Sequence, residues 1–188
     1  MDFVIKCYPK TEEFPNGGIM GQYILKKEVG DTIRMRANLG RITYKGNYTW
    51  FRKKESEYLV NKKKLGFIAG GSGITPIYRV IDALYRAKDK EVTVNLLFTN
   101  KTEDDMLLRE ELDAINADKS MPNFKVTHTL TRQEGEVKGD NVLRGRVNME
   151  MLRQLGFPEP SPETLIYSCG TKAFNADIKK FLLEAGYT

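Results

Sequence analysis

Three glycines fall within four positions at Gly70-Gly71-Ser72-Gly73, between the apolar run Leu65-Gly66-Phe67-Ile68-Ala69 and Ile74-Thr75-Pro76. Glycine reaches positive φ and lets a ligand come close to the main chain. A helix that starts here offers free N–H groups to an anion such as a pyrophosphate. Thr75 fits an N-cap and Pro76 the first helical position. A plain strand-to-helix turn would need only one glycine, which weighs against a purely structural reading. The spacing is not G-x-G-x-x-G, so that fingerprint does not apply. A second segment, Ile166-Tyr167-Ser168-Cys169-Gly170-Thr171, again ends an apolar run before a helix-forming stretch. Cys169 should then share a sheet edge with Gly70–Thr75. Its thiol could pack softly against a flat ring there, and a buried small residue is the competing reading.

Other chemistries lack their residues. The single histidine, His128, sits in the alternating run Phe124-Lys125-Val126-Thr127-His128-Thr129-Leu130 and reads as a strand residue, not a base. Two distant cysteines, Cys7 and Cys169, suit a reducing compartment better than a disulfide scaffold. No Cys or His pair has zinc-ligand spacing, so no metal site is expected. The net charge is +5, with surplus in Arg52-Lys53-Lys54 and Lys62-Lys63-Lys64. Such a stretch is either a solvated loop or a docking surface for an acidic partner. Nucleic acid is not expected, because no element interleaves basic and aromatic residues. No apolar run approaches the ~20 residues of a membrane span, and the N-terminus lacks a signal-peptide pattern. The expectation is a cytoplasmic protein. A membrane-surface location through a missing N-terminal anchor stays open.

The elements that would position these residues fall into two parts. Residues 1–52 read as β-rich. Strands are expected at Phe3–Tyr8, Thr32–Ala37 and Arg41–Tyr44, with a short helix at Ile19–Lys26 that Gly30 limits. These cannot close a core alone, so this part reads as a piece of a barrel. Residues 53–64 read as a basic linker. Residues 65–188 alternate strands (Leu65–Ala69, Val92–Phe98, Phe124–Leu130, Thr164–Ser168) with helices (Ile74–Arg86, Asp105–Asn116, Asn148–Leu155, Phe174–Ala185). The last helix places Phe174, Ile178, Phe181 and Leu182 on one face. The predicted fold class is therefore α/β: a parallel sheet with helices on both faces, preceded by a partial antiparallel β-barrel. Ligands in such sheets sit at the carboxyl ends of the strands.

Taken together these residues resemble the NADH–cytochrome b5 reductase family, within the ferredoxin–NADP reductase group. The segment 69–76 looks like that family's nucleotide-binding loop, and 96–109 like its next strand and helix. Cys169-Gly170 matches the start of its late cysteine motif, whose proline-rich continuation is Thr171-Lys172-Ala173-Phe174 here. Gly17-Gly18-Ile19-Met20-Gly21-Gln22-Tyr23 resembles its FAD-pyrophosphate segment, with Ile19 and Gly21 in place of a lysine and a serine. Phe3–Tyr8 looks like the strand beside the flavin. The family's Arg-x-Tyr-Thr flavin motif would lie upstream of Phe3 and its last strand beyond Thr188, so a longer parent protein is expected.

The resemblance implies a flavin-dependent oxidoreductase that uses NADH and FAD and passes electrons to a haem protein. Implied catalytic residues are Thr75, Cys169 and Lys6. Gly70, Gly71, Ser72, Gly73, Thr75, Pro76, Thr131 and Gly170 would hold the nicotinamide nucleotide. Tyr8, Phe14, Gly18, Ile19, Met20 and Gly21 would hold FAD. Implied partners are an acidic haem protein such as cytochrome b5, or an attached haem or molybdenum domain in a longer chain. Thr131 occupies the position of the family's ribose-reading aspartate, with Arg132 beside it, which opens the site to NADPH. The rival from another class is a non-catalytic structural or nucleotide-sensing subunit of a larger assembly.

Overall fold

The computed structural model describes residues 3–12, 14–36 and 40–188. The chain divides into two compact units, Met1–Gly40 and Arg41–Thr188.

In the second unit a five-stranded sheet has the order β7-β6-β5-β4-β8. Its strands are β4 (Lys64–Gly70), β5 (Thr93–Asn100), β6 (Phe124–Leu130), β7 (Val142–Arg144) and β8 (Thr164–Cys169), and every pairing is parallel. Helices α2 (Ile74–Arg86) and α3 (Arg109–Ala117) bury Ile77, Ile81, Leu84, Leu112 and Ile115 against Phe67, Leu96 and Phe98. Helices α4 (Met149–Gln154) and α5 (Lys172–Glu184) bury Met151, Leu152, Ile178 and Leu182 against Ile68 and Leu97 on the other face. Both faces are thus covered, as the alternating pattern requires. Each large side chain buried here stabilises the fold by about 1.5–3 kcal/mol.

The chain runs from β4 outward through β5, β6 and β7, then returns to place β8 on the opposite side of β4. The carboxyl ends of β4 and β8 therefore flank the point where strand order reverses. Connections leave that point in opposite directions and open a crevice there.

An antiparallel sheet, β1 (Ile42–Gly46), β2 (Thr49–Arg52) and β3 (Glu57–Leu59), belongs to this same unit. Asn47 and Tyr48 both have positive φ, the geometry of a tight two-residue hairpin turn. Trp50 is 1% exposed and meets Phe67 edge-on. This anchoring aromatic ties the antiparallel sheet to the parallel sheet within the second unit. The stretch 53–64, expected as a linker, carries β3 instead. Most basic residues in and beside it are engaged: Arg52, just before it, pairs with Glu57, Lys63 with Glu91 at 2.7 Å and Lys64 with Glu163 at 3.2 Å, while Lys62 donates to the Pro162 carbonyl. Lys53 and Lys54 are exposed beside them.

In the first unit, helix α1 (Ile19–Leu25) forms as expected. Phe3–Tyr8 and Thr32–Arg36 are not strands, and Ala37 lies outside the described residues. Alternation marks which side of a segment is apolar, but a strand also needs a neighbour to pair with. Phe3–Tyr8 packs instead across α1. The Tyr8 carbonyl accepts the Gly18 N–H at 3.0 Å and the Gln22 amide at 3.2 Å. A Cβ on Gly18 would lie 3.1 Å from that of Tyr8, and one on Gly21 3.1 Å from the Cys7 Cα.

Within the second unit His128 is fully buried and hydrogen-bonded through Nε2 to Asp113 at 3.0 Å. Burial, opposed by Asp113, pushes its pKa down. It is a core residue of β6, as its alternating context indicates. Among the described residues no helix is long and apolar enough to cross a membrane.

Candidate functional site

β4 is buried from Leu65 to Ala69 and ends at Gly70, where the backbone is still extended (φ −116°, ψ 113°). Gly71 then turns to φ +53°, a region costly for side chains with a Cβ. Nothing lies within 4 Å of the place a Cβ on Gly71 would occupy. The loop thus holds a bare backbone with open space above it. Gly71–Gly73 form one 3-10 turn that runs straight into α2 at Ile74. Helix N-termini leave N–H groups without intrahelical partners, and the peptide dipoles add positive potential there. These features fit a pyrophosphate.

The helix cap differs from expectation. Gly73 occupies it, and Thr75 is the second helical residue, with its hydroxyl donating to the Ser72 carbonyl at 3.1 Å. Pro76 is the third. The 3-10 turn winds the chain into the helix early, and proline is tolerated because first-turn N–H groups have no partner. Thr75 therefore braces the loop from inside.

Gly73 serves another purpose from that of Gly71. A Cβ there would lie 2.1 Å from the Cys169 carbonyl oxygen and 2.5 Å from its carbon. The loops after β4 and β8 thus touch backbone to backbone, at the point of strand-order reversal. Cys169 is partly buried, and burial pushes its thiol pKa up, which disfavours the thiolate. The group is suited to packing and not to nucleophilic attack. After it, Gly170 lies against the Phe174 ring, where a Cβ would come within 2.4 Å of Cδ1. The Thr171 hydroxyl caps α5 by accepting the Phe174 N–H at 3.2 Å.

At the ends of β5 and β6 the Asn100 carbonyl accepts both the Thr131 N–H at 3.0 Å and the Thr131 hydroxyl at 3.2 Å. The Arg132 N–H donates to the Lys101 carbonyl at 2.9 Å. Lys101 and Arg132 are exposed and make no ion pair among the described residues. Glu103, on the same loop, is held by Arg109, whose hydrogen bond lowers its pKa against the opposing effect of burial. The same strand ends carry a feature that periodicity does not reveal: the Asn100 side chain is 5% exposed with neither amide atom partnered. In the sequence only a polar residue closing the strand Leu96-Leu97-Phe98-Thr99-Asn100 hinted at it.

In the first unit, Lys6 stands 5.6 Å over the Tyr8 ring, and Gly18 and Gly21 contact Tyr8 and Cys7. Phe14, Ile19 and Met20 are 62%, 77% and 67% exposed. The first-unit residues singled out in the sequence are thus gathered around one extended segment and α1.

Residues 67–180, more than half of the chain, match the oxidoreductase NAD-binding domain family. The chain belongs to that family. The chain is 38% identical over 175 residues to NADH-cytochrome b5 reductase 3 of Rattus norvegicus, spanning 90% of this chain and 56% of that protein. It is 36% identical over 177 residues to nitrate reductase [NADH] of Volvox carteri, spanning 92% of this chain and 20% of that protein. Among solved structures it superposes on the cytochrome b5 reductase domain of Ulva prolifera nitrate reductase with TM-score 0.81 and 28% identity. That match covers 97% of this chain and 69% of the other. The resemblance read from Gly70–Pro76 and Cys169–Gly170 is borne out, as is the α/β fold class. The chain spans between a fifth and just over half of these curated relatives.

A prediction follows from the Cys169 thiol. If Cys169 packs against a bound nicotinamide, Cys169→Ser should slow flavin reduction by NADH about tenfold or more while dinucleotide affinity changes less than about twofold. The serine keeps the size but loses the soft sulfur. Rapid-mixing kinetics beside equilibrium binding checks this, and a covalent adduct trapped on Cys169 during turnover would overturn it.

Proposed function

We propose that this chain is the nicotinamide-nucleotide-binding portion of a flavin-dependent reductase that delivers electrons to a haem protein. One observation carries the reading: the bare Gly71 loop and the Cys169 turn meet at the strand-order reversal, the usual ligand crevice of such sheets. The backbone at Gly70–Gly73 and the start of α2 hold the pyrophosphate. Ser72 and Thr75 stiffen that loop. Cys169 and Gly170 pack beside the nicotinamide and exclude water from it. When bound, NADH supplies a hydride that FAD accepts and releases as single electrons. No protein acid or base is required, which agrees with His128 lying buried in the core.

The first unit is read as the end of the flavin domain. Tyr8, Phe14, Ile19 and Met20 offer exposed apolar surface to FAD, and Lys6 stands beside Tyr8. The acceptor is read as an acidic haem protein such as cytochrome b5, or an attached haem domain. Lys53 and Lys54 are the cations of the basic stretch left for docking.

A visible spectrum of the purified parent protein tests this function. A flavin band near full occupancy that bleaches on adding NADH is expected. Tight NADH binding with no flavin band would turn the reading toward a nucleotide-sensing subunit, and absence of both would end it.

Dinucleotide choice is read at the ends of β5 and β6. The Thr131 hydroxyl is committed to the Asn100 carbonyl, and the exposed Lys101 and Arg132 are available to a 2′-phosphate. Specificity constants for NADH and NADPH are expected to lie within about tenfold, a difference of about 1.4 kcal/mol. Thr131→Asp should move the ratio toward NADH by about tenfold or more, since a carboxylate repels that phosphate. A strong NADH preference that Thr131→Asp leaves unchanged would show that position 131 does not read the ribose.

A further inference from the structure

We propose that Asn175 is a positioning residue that clamps the Cys169–Gly170 turn in the orientation that receives the nicotinamide ring. The inference rests on the dinucleotide reading above and adds to it a residue outside the Gly70–Pro76 and Cys169–Gly170 motifs.

The turn after β8 has little stiffness of its own. Thr171-Lys172-Ala173 follows Gly170, so neither proline nor a branched apolar residue restricts the backbone there. The first turn of α5 supplies the restraint. The Phe174 ring fills the space beside Gly170 and Gly70. Thr171 caps the helix. The Asn175 amide reaches back five residues, and its Nδ2–H donates to the Gly170 carbonyl at 3.0 Å. This bond fixes the Gly170–Thr171 peptide, the next after the Cys169–Gly170 peptide whose carbonyl Gly73 faces.

The amide makes this bond at a cost. Its Oδ1 is buried and has no partner among the described residues. Buried acceptors of this kind are uncommon and call for a reason. A residue chosen for stability alone would be apolar here, because the neighbouring Phe174, Ile178 and Ile166 form a hydrophobic cluster. A polar group retained at such a place, bonded to the residue after Cys169, has a positional role.

Two variants separate this role from a general contribution to folding. Asn175→Leu orphans the Gly170 carbonyl but also removes the buried unpaired acceptor and adds apolar contact, so the melting temperature should stay level. Asn175→Asp removes the donor and sets a second oxygen against the Gly170 carbonyl, so the melting temperature should fall. Both should free the turn. The probe is iodoacetamide labelling of Cys169 in the full chain, followed by peptide mass with Cys7 as the internal reference. NAD+ at about ten times its Kd should slow Cys169 labelling about tenfold in the unaltered protein. In both variants labelling without NAD+ should rise about tenfold and protection should fall to about twofold or less, while the Kd for NAD+ moves less than about threefold. The Kd is spared because the pyrophosphate loop is intact.

Wild-type labelling and protection in both variants would overturn the proposal. So would labelling that changes only where the melting temperature falls, or failure of both variants to fold, since either makes Asn175 a folding residue. NAD+ that binds without protecting Cys169 in the unaltered protein would overturn it too. Absence of any NAD+ binding would instead bring down the dinucleotide reading on which it rests.

Discussion

Gly73→Ala is expected to destabilise the protein by about 3 kcal/mol and to lower its melting temperature by about 6–12 °C. The added methyl would sit 2.1 Å from the Cys169 carbonyl oxygen, well inside van der Waals contact. The usual relief, rotation of a flexible side chain, is closed off because the neighbour is backbone. Either the loop after β4 or the turn after β8 must move. Both are held, one by its passage into α2 and the other by the Thr171 cap and the Phe174 ring. Because the two loops together form the crevice, dinucleotide affinity should fall with the melting temperature. Thermal unfolding and calorimetric titration with NAD+ measure the two effects. A Gly73→Ala protein that melts within a degree or so of the parent would show that the loops can part without cost, against the whole account of the crevice.

Gly71→Val should do the reverse: the protein folds and loses its ligand. Space for the side chain is open, so nothing in the folded protein is displaced. The cost in the free protein is the left-handed backbone at φ +53°, about 1–3 kcal/mol for a β-branched residue. The valine methyls would occupy the space over the bare backbone, where the pyrophosphate is read to lie. The Kd for NAD+ is expected to rise about a hundredfold or more, a loss of about 2.7 kcal/mol. Gly71→Ala, with the same backbone strain and a smaller obstacle, should lose less affinity. Unchanged affinity in a folded Gly71→Val protein would remove the glycine loop from the binding site.

These paired substitutions show where sequence reading stops. Gly71 and Gly73 stand two positions apart in one glycine-rich stretch, and their residue type signals only that backbone freedom or close approach matters there. Which glycine faces a ligand and which faces another strand's carbonyl depends on where β8 lies. That placement is a long-range fact, brought about by the return of the chain across β4.

Much of the second unit was legible because its signals are local. The strand-glycine-helix pattern around Gly70 marks the boundaries of α2, and β6 falls where alternation and flanking turns put it. The stripe Phe174, Ile178, Phe181 and Leu182 faces the sheet as a 3.6-residue period requires. The apolar runs Phe67-Ile68-Ala69 in β4 and Leu96-Leu97-Phe98 in β5 put apolar side chains on both faces, hence helices on both sides. These properties follow from the chain's own periodicity, and they sufficed to set the fold class and to point to the sheet edge proposed for the nucleotide.

Tertiary structure decided what periodicity cannot encode. Phe3–Tyr8 alternates like a strand yet packs across α1, because alternation specifies a buried side and not a hydrogen-bonding neighbour. The stretch 53–64 is polar enough for a linker yet carries β3, because Trp50 is drawn into the core beneath Phe67 and brings its hairpin with it. Strand β7 has three residues, too few for a period to register, and owes its existence to pairing with His128–Leu130. The Asn175 amide meets Gly170 only because a helix turn folds back over the strand end. In each case the deciding free energy comes from a partner distant in sequence or reached by a turn of the backbone. The order of residues states what each segment can bury, and the packed fold selects what it is buried against.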